Sequence, residues 1–120
     1  RCVQQEEELI AVLHNLLGER LVVFTGQQPL SEQIDIFRQA GLVIGPHGAG
    51  LTNILYCRPG TRVVEFPVVP MRLNQFAHLA AALDLEYWIV PTVTTHYQGT
   101  YTLDSYNLKD VINLVKQLAG

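Results

Sequence analysis

This 120-residue chain has two cysteines, one tryptophan, one methionine and a charged fraction of only 16%. Cys2 and Cys57 are too few and too far apart for a disulfide scaffold or a cysteine-rich zinc site. Both read as free thiols, with a 2–57 bridge as the alternative in a secretory protein. No apolar run approaches the ~20 residues of a membrane span. Basic residues are not in excess: 8 Lys and Arg stand against 11 Asp and Glu, for a net charge of -3. That balance disfavours a nucleic-acid surface, which needs a basic stripe. Asp35, Asp84, Asp104 and Asp110 are scattered and form no divalent-cation cluster. Residues 1–8 are polar and acidic and do not read as a signal peptide. Residue 1 is Arg, and the chain is read as a fragment or an excised C-terminal domain.

What is present is an alternation of helices and buried strands. With 48% hydrophobic residues the chain can build one packed domain, 1–120. In residues 6–17, Leu9, Ile10, Leu13, Leu16 and Leu17 recur at helical spacing. Glu6, Glu7 and Glu8 suit the dipole of the first turn, and Gly18 is a stop signal. Leu21-Val22-Val23-Phe24 is a short apolar run, expected as a strand buried on both faces. Ser31 is expected to cap a second helix with Ile34 and Phe37 inward and Leu30 nearby, ended by Gly41. Leu42-Val43-Ile44 is the second strand. Residues 51–56 form a third, short helix, ended before the Pro59-Gly60 turn. Arg62-Val63-Val64-Glu65-Phe66 and Glu86-Tyr87-Trp88-Ile89-Val90 are the third and fourth strands. Between them, residues 75–83 form a helix with Phe76, Leu79, Ala80 and Leu83 inward. Residues 107–118 close the chain, with Leu108, Val111, Ile112, Val115 and Leu118 on the buried side. Residues 92–105 are irregular, either a functional lid or a plain surface excursion. The alternation predicts an α/β fold, a Rossmann-like parallel sheet with helices on both faces.

In such a sheet ligands bind beyond the carboxyl ends of the strands. Gly45-Pro46-His47-Gly48-Ala49-Gly50-Leu51-Thr52-Asn53 stands there, between the second strand and the third helix. Glycine lets backbone approach a ligand closely, and the first N–H groups of a helix lack internal partners. Together with the helix dipole they suit a diphosphate. Thr52 and Asn53 add polar groups in the first turn, and His47 is its titratable side chain. Alternatively the glycines serve only close helix–strand packing. The string lacks the Lys-Ser/Thr order of a P-loop and is not G-x-G-x-x-G. His47-Gly48-Ala49-Gly50 is similar to an esterase oxyanion turn, but neither Ser31 nor Ser105 has a G-x-S-x-G setting.

At these residues the chain resembles glycosyltransferase family 61. The resemblance runs from Phe37-Arg38-Gln39-Ala40-Gly41-Leu42-Val43-Ile44 through residues 45–53. It continues in Pro59-Gly60-Thr61-Arg62-Val63-Val64-Glu65 and His78-Leu79-Ala80-Ala81-Ala82-Leu83, covering about residues 1–90. The resemblance implies one half of a GT-B glycosyltransferase, the C-terminal donor-binding part facing an N-terminal domain. It implies inverting transfer from a nucleotide sugar, with UDP the usual nucleotide, to an acceptor hydroxyl on a glycan or protein. No metal or other cofactor is implied, and no membrane contact of this segment. The compartment stays open: cytoplasmic in a bacterium, Golgi or endoplasmic reticulum lumen in a eukaryote.

On that resemblance Arg1 matches a basic position and is a candidate to neutralise the diphosphate leaving group. Glu65 can accept both ribose hydroxyls, or stand as a solvated strand end. His47 is the candidate catalytic base, its unperturbed pKa of about 6.5 being near neutrality. The stronger expectation puts the base on the N-terminal domain. His78 reads as a helix-surface or partly buried histidine, Arg58 and Arg62 as surface charges, and Tyr87 and Trp88 as packed with the sheet. His14 and His96 carry no context that singles them out. The rival function is a non-catalytic nucleotide-binding or interaction module.

Overall fold

Three short segments with alternating side-chain direction build the centre of the molecule. The computed structural model describes residues 3–4, 6–46, 48–66, 75–90, 93–94, 101–102 and 105–119. In chain order the elements are β1 (Val3–Gln4), α1 (Glu6–Leu17), a 3₁₀ turn (Gly18–Arg20), α2 (Leu30–Gln39), β2 (Leu42–Pro46) and a 3₁₀ helix (Ala49–Tyr56). Then come β3 (Arg62–Phe66), α3 (Gln75–Ala82), β4 (Glu86–Ile89), β5 (Val93–Thr94), β6 (Tyr101–Thr102) and α4 (Ser105–Ala119). β2, β3 and β4 pair in parallel in that order, with Leu42 opposite Arg62 and Arg62 opposite Glu86. Both offsets are even, so residues of one parity share a face across the sheet. Even positions such as Leu42, Ile44, Val64, Phe66 and Trp88 pack with Leu9, Leu13, Leu108, Val111 and Val115 of α1 and α4. Odd positions such as Val43, Val63 and Tyr87 pack with Phe37, Leu51, Ile54, Phe76 and Ala80 of α2, the 3₁₀ helix and α3. The expected layer of helices on both faces of a parallel sheet is present.

Two stop signals act as expected. Gly18 (φ +57°) and Gly60 (φ +88°) hold left-handed backbone, which glycine adopts at little cost. Gly60 also donates its N–H to Asp84 O at 2.8 Å, tying the β3 entry to the end of α3. Helix α4 begins at Ser105, two residues before the expected start. The segment expected to be irregular carries β5 and β6, an antiparallel pair that joins β1 in a second small sheet.

Four expectations are corrected. Residues 21–24 form no strand: they pair with nothing in either sheet, and Val22 is 60% exposed. Leu21 instead packs on the α1/α4 face, while Phe24 meets Phe37 edge-on at 5.0 Å on the other. Ser31 does not cap α2. The N-cap is Pro29, whose carbonyl accepts the N–H groups of Glu32 and Gln33 at 3.0 Å each. The preceding loop is held by the Gln33 side chain, which donates from Nε2 to Gln28 O at 2.6 Å. Leu30, expected near the inner face, is exposed. Last, the helix after the Gly-rich turn is 3₁₀ in type and starts two residues earlier than expected.

Candidate functional site

The site is built where three parallel strands end together. Gly45 of β2, Glu65 of β3 and Ile89 of β4 stand opposite one another in a single row. All three are odd positions, on the face of α2, the 3₁₀ helix and α3. β2 runs on to Pro46, so Gly45 belongs to the sheet and the turn proper is shorter than the sequence suggested. His47 and Arg1 lie outside the described residues. Gly48 is the N-cap of the 3₁₀ helix, with extended backbone at φ 163°.

The glycines of this turn have no internal reason to be glycine among the described residues. Gly45, Gly48 and Gly50 do not hold left-handed backbone, unlike Gly18, Gly26 and Gly60. Among the described residues, a Cβ added at Gly48 would meet no atom within 4 Å, one at Gly45 would sit 3.9 Å from Leu51 Cδ1, and one at Gly50 3.8 Å from Phe24 Cε1. Those are ordinary contacts. Among the described residues, then, nothing obstructs a Cβ at these three positions.

The helix that follows divides its residues between anchoring and presentation. Leu51 is buried and donates its N–H to Gly48 O at 3.1 Å, which closes the first turn. Ile54 is fully buried behind it. Thr52 is exposed and Asn53 half-buried, so both keep polar groups near the surface. The N–H groups of Ala49 and Gly50 stand at the helix start, ahead of its first internal hydrogen bond.

Glu65 is not a solvated strand end: it is fully buried. Tyr87 donates its hydroxyl to Glu65 Oε1. Val63 is the residue directly opposite Tyr87, so the bond runs diagonally, from the N-terminal side of the Gly45–Glu65–Ile89 row. Burial, then the hydrogen bond and the negative charge of Glu65, raise the Tyr87 pKa above its ordinary value. The phenol thus stays protonated and donating at neutral pH. The sequence placed Tyr87 with the sheet, where it is. Its bond to Glu65 depends on the strand register, which no local pattern reveals.

The remaining candidates separate cleanly. His78 on α3 and His14 on α1 are exposed helix-surface residues, and His96 lies outside the described residues. Arg58 is exposed, and Arg62 pairs with Glu86 at 3.0 Å on the surface, at the opposite end of the strands from the row. Trp88 packs on the α1/α4 face. Cys57 is a free, buried thiol, and burial pushes its pKa up to about 11, so it is no nucleophile at neutral pH. Thr61, which the sequence did not single out, is buried, and its hydroxyl lies 2.8 Å from Arg58 O and 3.3 Å from Ala40 O.

The family model described as Glycosyltransferase 61 matches residues 1–64, more than half of the chain. A protein named Beta-1,2-xylosyltransferase RCN11 from Oryza sativa subsp. japonica is 30% identical over 87 residues. That covers 72% of this chain and 15% of the rice protein. A Beta-1,2-xylosyltransferase from Arabidopsis thaliana is 28% identical over 75 residues, 62% of this chain and 14% of that protein. The chain thus spans a small part of the length of these relatives.

Proposed function

The chain belongs to glycosyltransferase family 61, and from that premise we propose that it is the donor-binding half of a GT-B enzyme. The observation that carries the proposal is the set of three glycines at the carboxyl end of the sheet. Neither backbone conformation nor a neighbouring described atom requires glycine at 45, 48 or 50. Close approach of a ligand to the backbone supplies the reason. The diphosphate of a nucleotide sugar sits against the N–H groups of Ala49 and Gly50, with Thr52 and Asn53 beside them and Arg1 as a counter-charge. Glu65 takes the ribose. The two relatives favour a pentosyl donor, and UDP is the proposed nucleotide.

The chemistry follows from that placement. An acceptor hydroxyl oxygen attacks the anomeric carbon while the bond from that carbon to the diphosphate breaks. Negative charge grows on the departing phosphate, where fixed N–H donors are worth most. The acceptor proton passes to a general base. His47 is the candidate within this chain, and the preferred place for the base is a facing N-terminal domain that also holds the acceptor. Attack from the side opposite the leaving group inverts the anomeric carbon. No metal is needed in this scheme, since N–H groups and a cation balance the phosphate charge.

Isothermal titration of the intact protein with UDP, GDP and ADP tests the proposal. The expected result is saturable binding of one of them, UDP first, unchanged by a chelator. Binding of none would overturn the donor-site reading. Binding that vanishes with the chelator would overturn the metal-independent scheme alone.

A further inference from the structure

Strand β2 has the sequence of an inner strand and one open edge. Leu42 and Ile44 serve one face and Val43 the other. Yet all five β2 residues are only half-buried, whereas β3 is buried from Val63 to Phe66. Among the described residues β2 pairs with β3 alone. Gly41 O accepts the Arg62 N–H at 3.1 Å. Backbone groups alternate sides along a strand, so the N–H and C=O of Leu42 and Ile44 face away from β3. No described strand meets them there. Residues 21–24 flank that side, and Val22, Val23 and Phe24 make no backbone–backbone hydrogen bond to any described residue. We infer that the open edge of β2 seats one further parallel strand, supplied by the polypeptide ahead of Arg1 in the whole protein and lying between β2 and residues 21–24. The inference does not depend on what the Gly-rich turn binds.

Crossover handedness fixes the place. The β2–β3 and β3–β4 crossovers pass through the 3₁₀ helix and α3, both on one face of the sheet. Helix α2 leads from residues 21–24 into β2 and lies on that same face. Residues 21–24 run in the direction of β2. They start beside Leu17 and Arg20, which line a cavity with Val115 and Ala119, and Leu118 O of the same turn accepts from Arg62 at the amino end of β3. They end with Phe24 beside Gly50, past the carboxyl end of β2. Parallel crossovers are right-handed in nearly all cases, so residues 21–24 belong on the free side of β2. Helix α1 lies on the opposite face, with α4. A right-handed crossover through α1 therefore reaches residues 21–24 from the β2 side, and the strand that feeds it belongs in between. Strand β1 stands directly ahead of α1 but does not fill the place: it is two residues long and pairs with β6 in the second sheet.

The edge has the chemistry of a covered one. Open edges are normally blunted by lysine, proline or a bulge, because an apolar free edge pairs with other chains. Leu42, Val43 and Ile44 carry no such device, and Val22 and Val23 are exposed beside them. Only side chains hold residues 21–24 in place, so they can yield one strand spacing, about 4.8 Å. A second copy could also pair with the edge, but the face on which α1 lies calls for a strand joined to that helix. The rice and Arabidopsis relatives have ample chain to supply one, since the match spans 15% and 14% of them. The strand also bears on the Gly-rich turn. Its crossover leaves toward α1, while that of β2 leaves toward the 3₁₀ helix on the other face. Two neighbouring strands with diverging crossovers form a topological switch point, the crevice where open parallel sheets hold ligands. The Gly-rich turn begins at that crevice, and the added strand supplies its second wall.

Amide hydrogen exchange of the intact protein, resolved to single residues, tests the pairing. The outward N–H groups of Leu42 and Ile44 are expected to exchange within about tenfold of the Val43 N–H, which faces β3. Exchange at least about a hundredfold faster than Val43 would show a free edge and overturn the inference. Protection that disappears on dilution would give the edge to a second copy and overturn it as well. A photo-cross-linking residue in place of the exposed Val22 identifies the occupant, because side chains on neighbouring strands touch across one face. The expected product joins Val22 to a peptide of the same chain within about ten residues ahead of Arg1, the length of one strand and a short connection. A product with any other segment, or with a second copy, would overturn the inference. Neither measurement involves a nucleotide, so failure here leaves the donor-site reading standing.

Discussion

The two faces of the central sheet are made of different chemistry. The face toward α1 and α4 is aliphatic and aromatic throughout: Leu9, Leu13, Val64, Phe66, Val90, Leu108, Val111 and Val115 are its buried residues. The face toward α2, the 3₁₀ helix and α3 also has an apolar centre, but its strand positions include Gly45, Glu65 and Tyr87, and Cys57 is buried there. Both sets come from the same three strands, separated only by residue parity. One face can therefore be optimised for packing alone, while the other accepts a buried carboxylate whose desolvation must be offset by hydrogen bonds. The buried polar pair stands on one side only, so under the proposed function recognition belongs to that side, and substitutions can separate it from stability.

The largest expected loss of stability is on the packing face. Phe66 is the last residue of β3 and is fully buried. Phe66→Ala is expected to cost about 3–5 kcal/mol, from lost burial and the cavity left behind. Urea unfolding measures it. Neighbouring Glu65 points to the opposite face, so the fraction still folded is expected to bind UDP with unchanged affinity. A change of more than about threefold in that affinity would break the division between faces. Next comes Thr61→Val. The swap keeps the shape but removes the hydroxyl near Arg58 O and Ala40 O. A cost of about 0.5–1.5 kcal/mol is expected, the net worth of one part-buried hydrogen bond, since Arg58 O keeps the Thr61 N–H as a donor. Thr61 lies at the amino end of β3, away from the row, so UDP affinity again serves as the control.

The elements that carry this parity were partly legible in the sequence. The span of β3 and the stops at Gly18 and Gly60 were read correctly because each rests on local chemistry: an apolar run between turn residues, or a backbone angle that glycine tolerates. Residues 21–24 carry the same kind of run and were misread. Whether an apolar run becomes a strand depends on a partner edge, and the chain itself does not encode where that edge is. Leu21 and Phe24 are held by side chains instead. The cap of α2 was misplaced because Ser31 has the right chemistry, yet the carbonyl of Pro29 makes the first helical bonds. The turn was located by its glycines, but only its surroundings show that no described neighbour would obstruct a Cβ there. Tyr87 and Glu65 are 22 residues apart and meet only through the β3–β4 register. A buried glutamate next to a tyrosine was thus beyond any reading of spacing.

A smaller effect is expected at the far end of the strands. Arg62 and Glu86 pair at 3.0 Å with both side chains about half exposed. Solvent and salt screen such pairs, so Glu86→Gln is expected to cost no more than about 1 kcal/mol, and less in molar salt. Thermal unfolding at low and high ionic strength measures it. A larger loss that salt does not reduce would show that the amino ends of the strands contribute more than surface charge.

The smallest effect on stability is expected at the site itself, and there it sharpens the comparison most. Gly48 has extended backbone, which any residue adopts, and no described atom within 4 Å of where a side chain would begin. Gly48→Val is therefore expected to shift unfolding by no more than about 0.5 kcal/mol, the range of substitutions that disturb no packing. Its branched side chain would stand in front of the N–H groups of Ala49 and Gly50. UDP affinity is expected to fall by at least about tenfold, because a phosphate can no longer approach the backbone. Parallel calorimetry and thermal unfolding separate the two quantities. A folded variant with wild-type affinity would move the phosphate away from this turn. Weaker binding in proportion to lost stability would mean that Gly48 serves the fold after all, and that the recognition face is also a packing face.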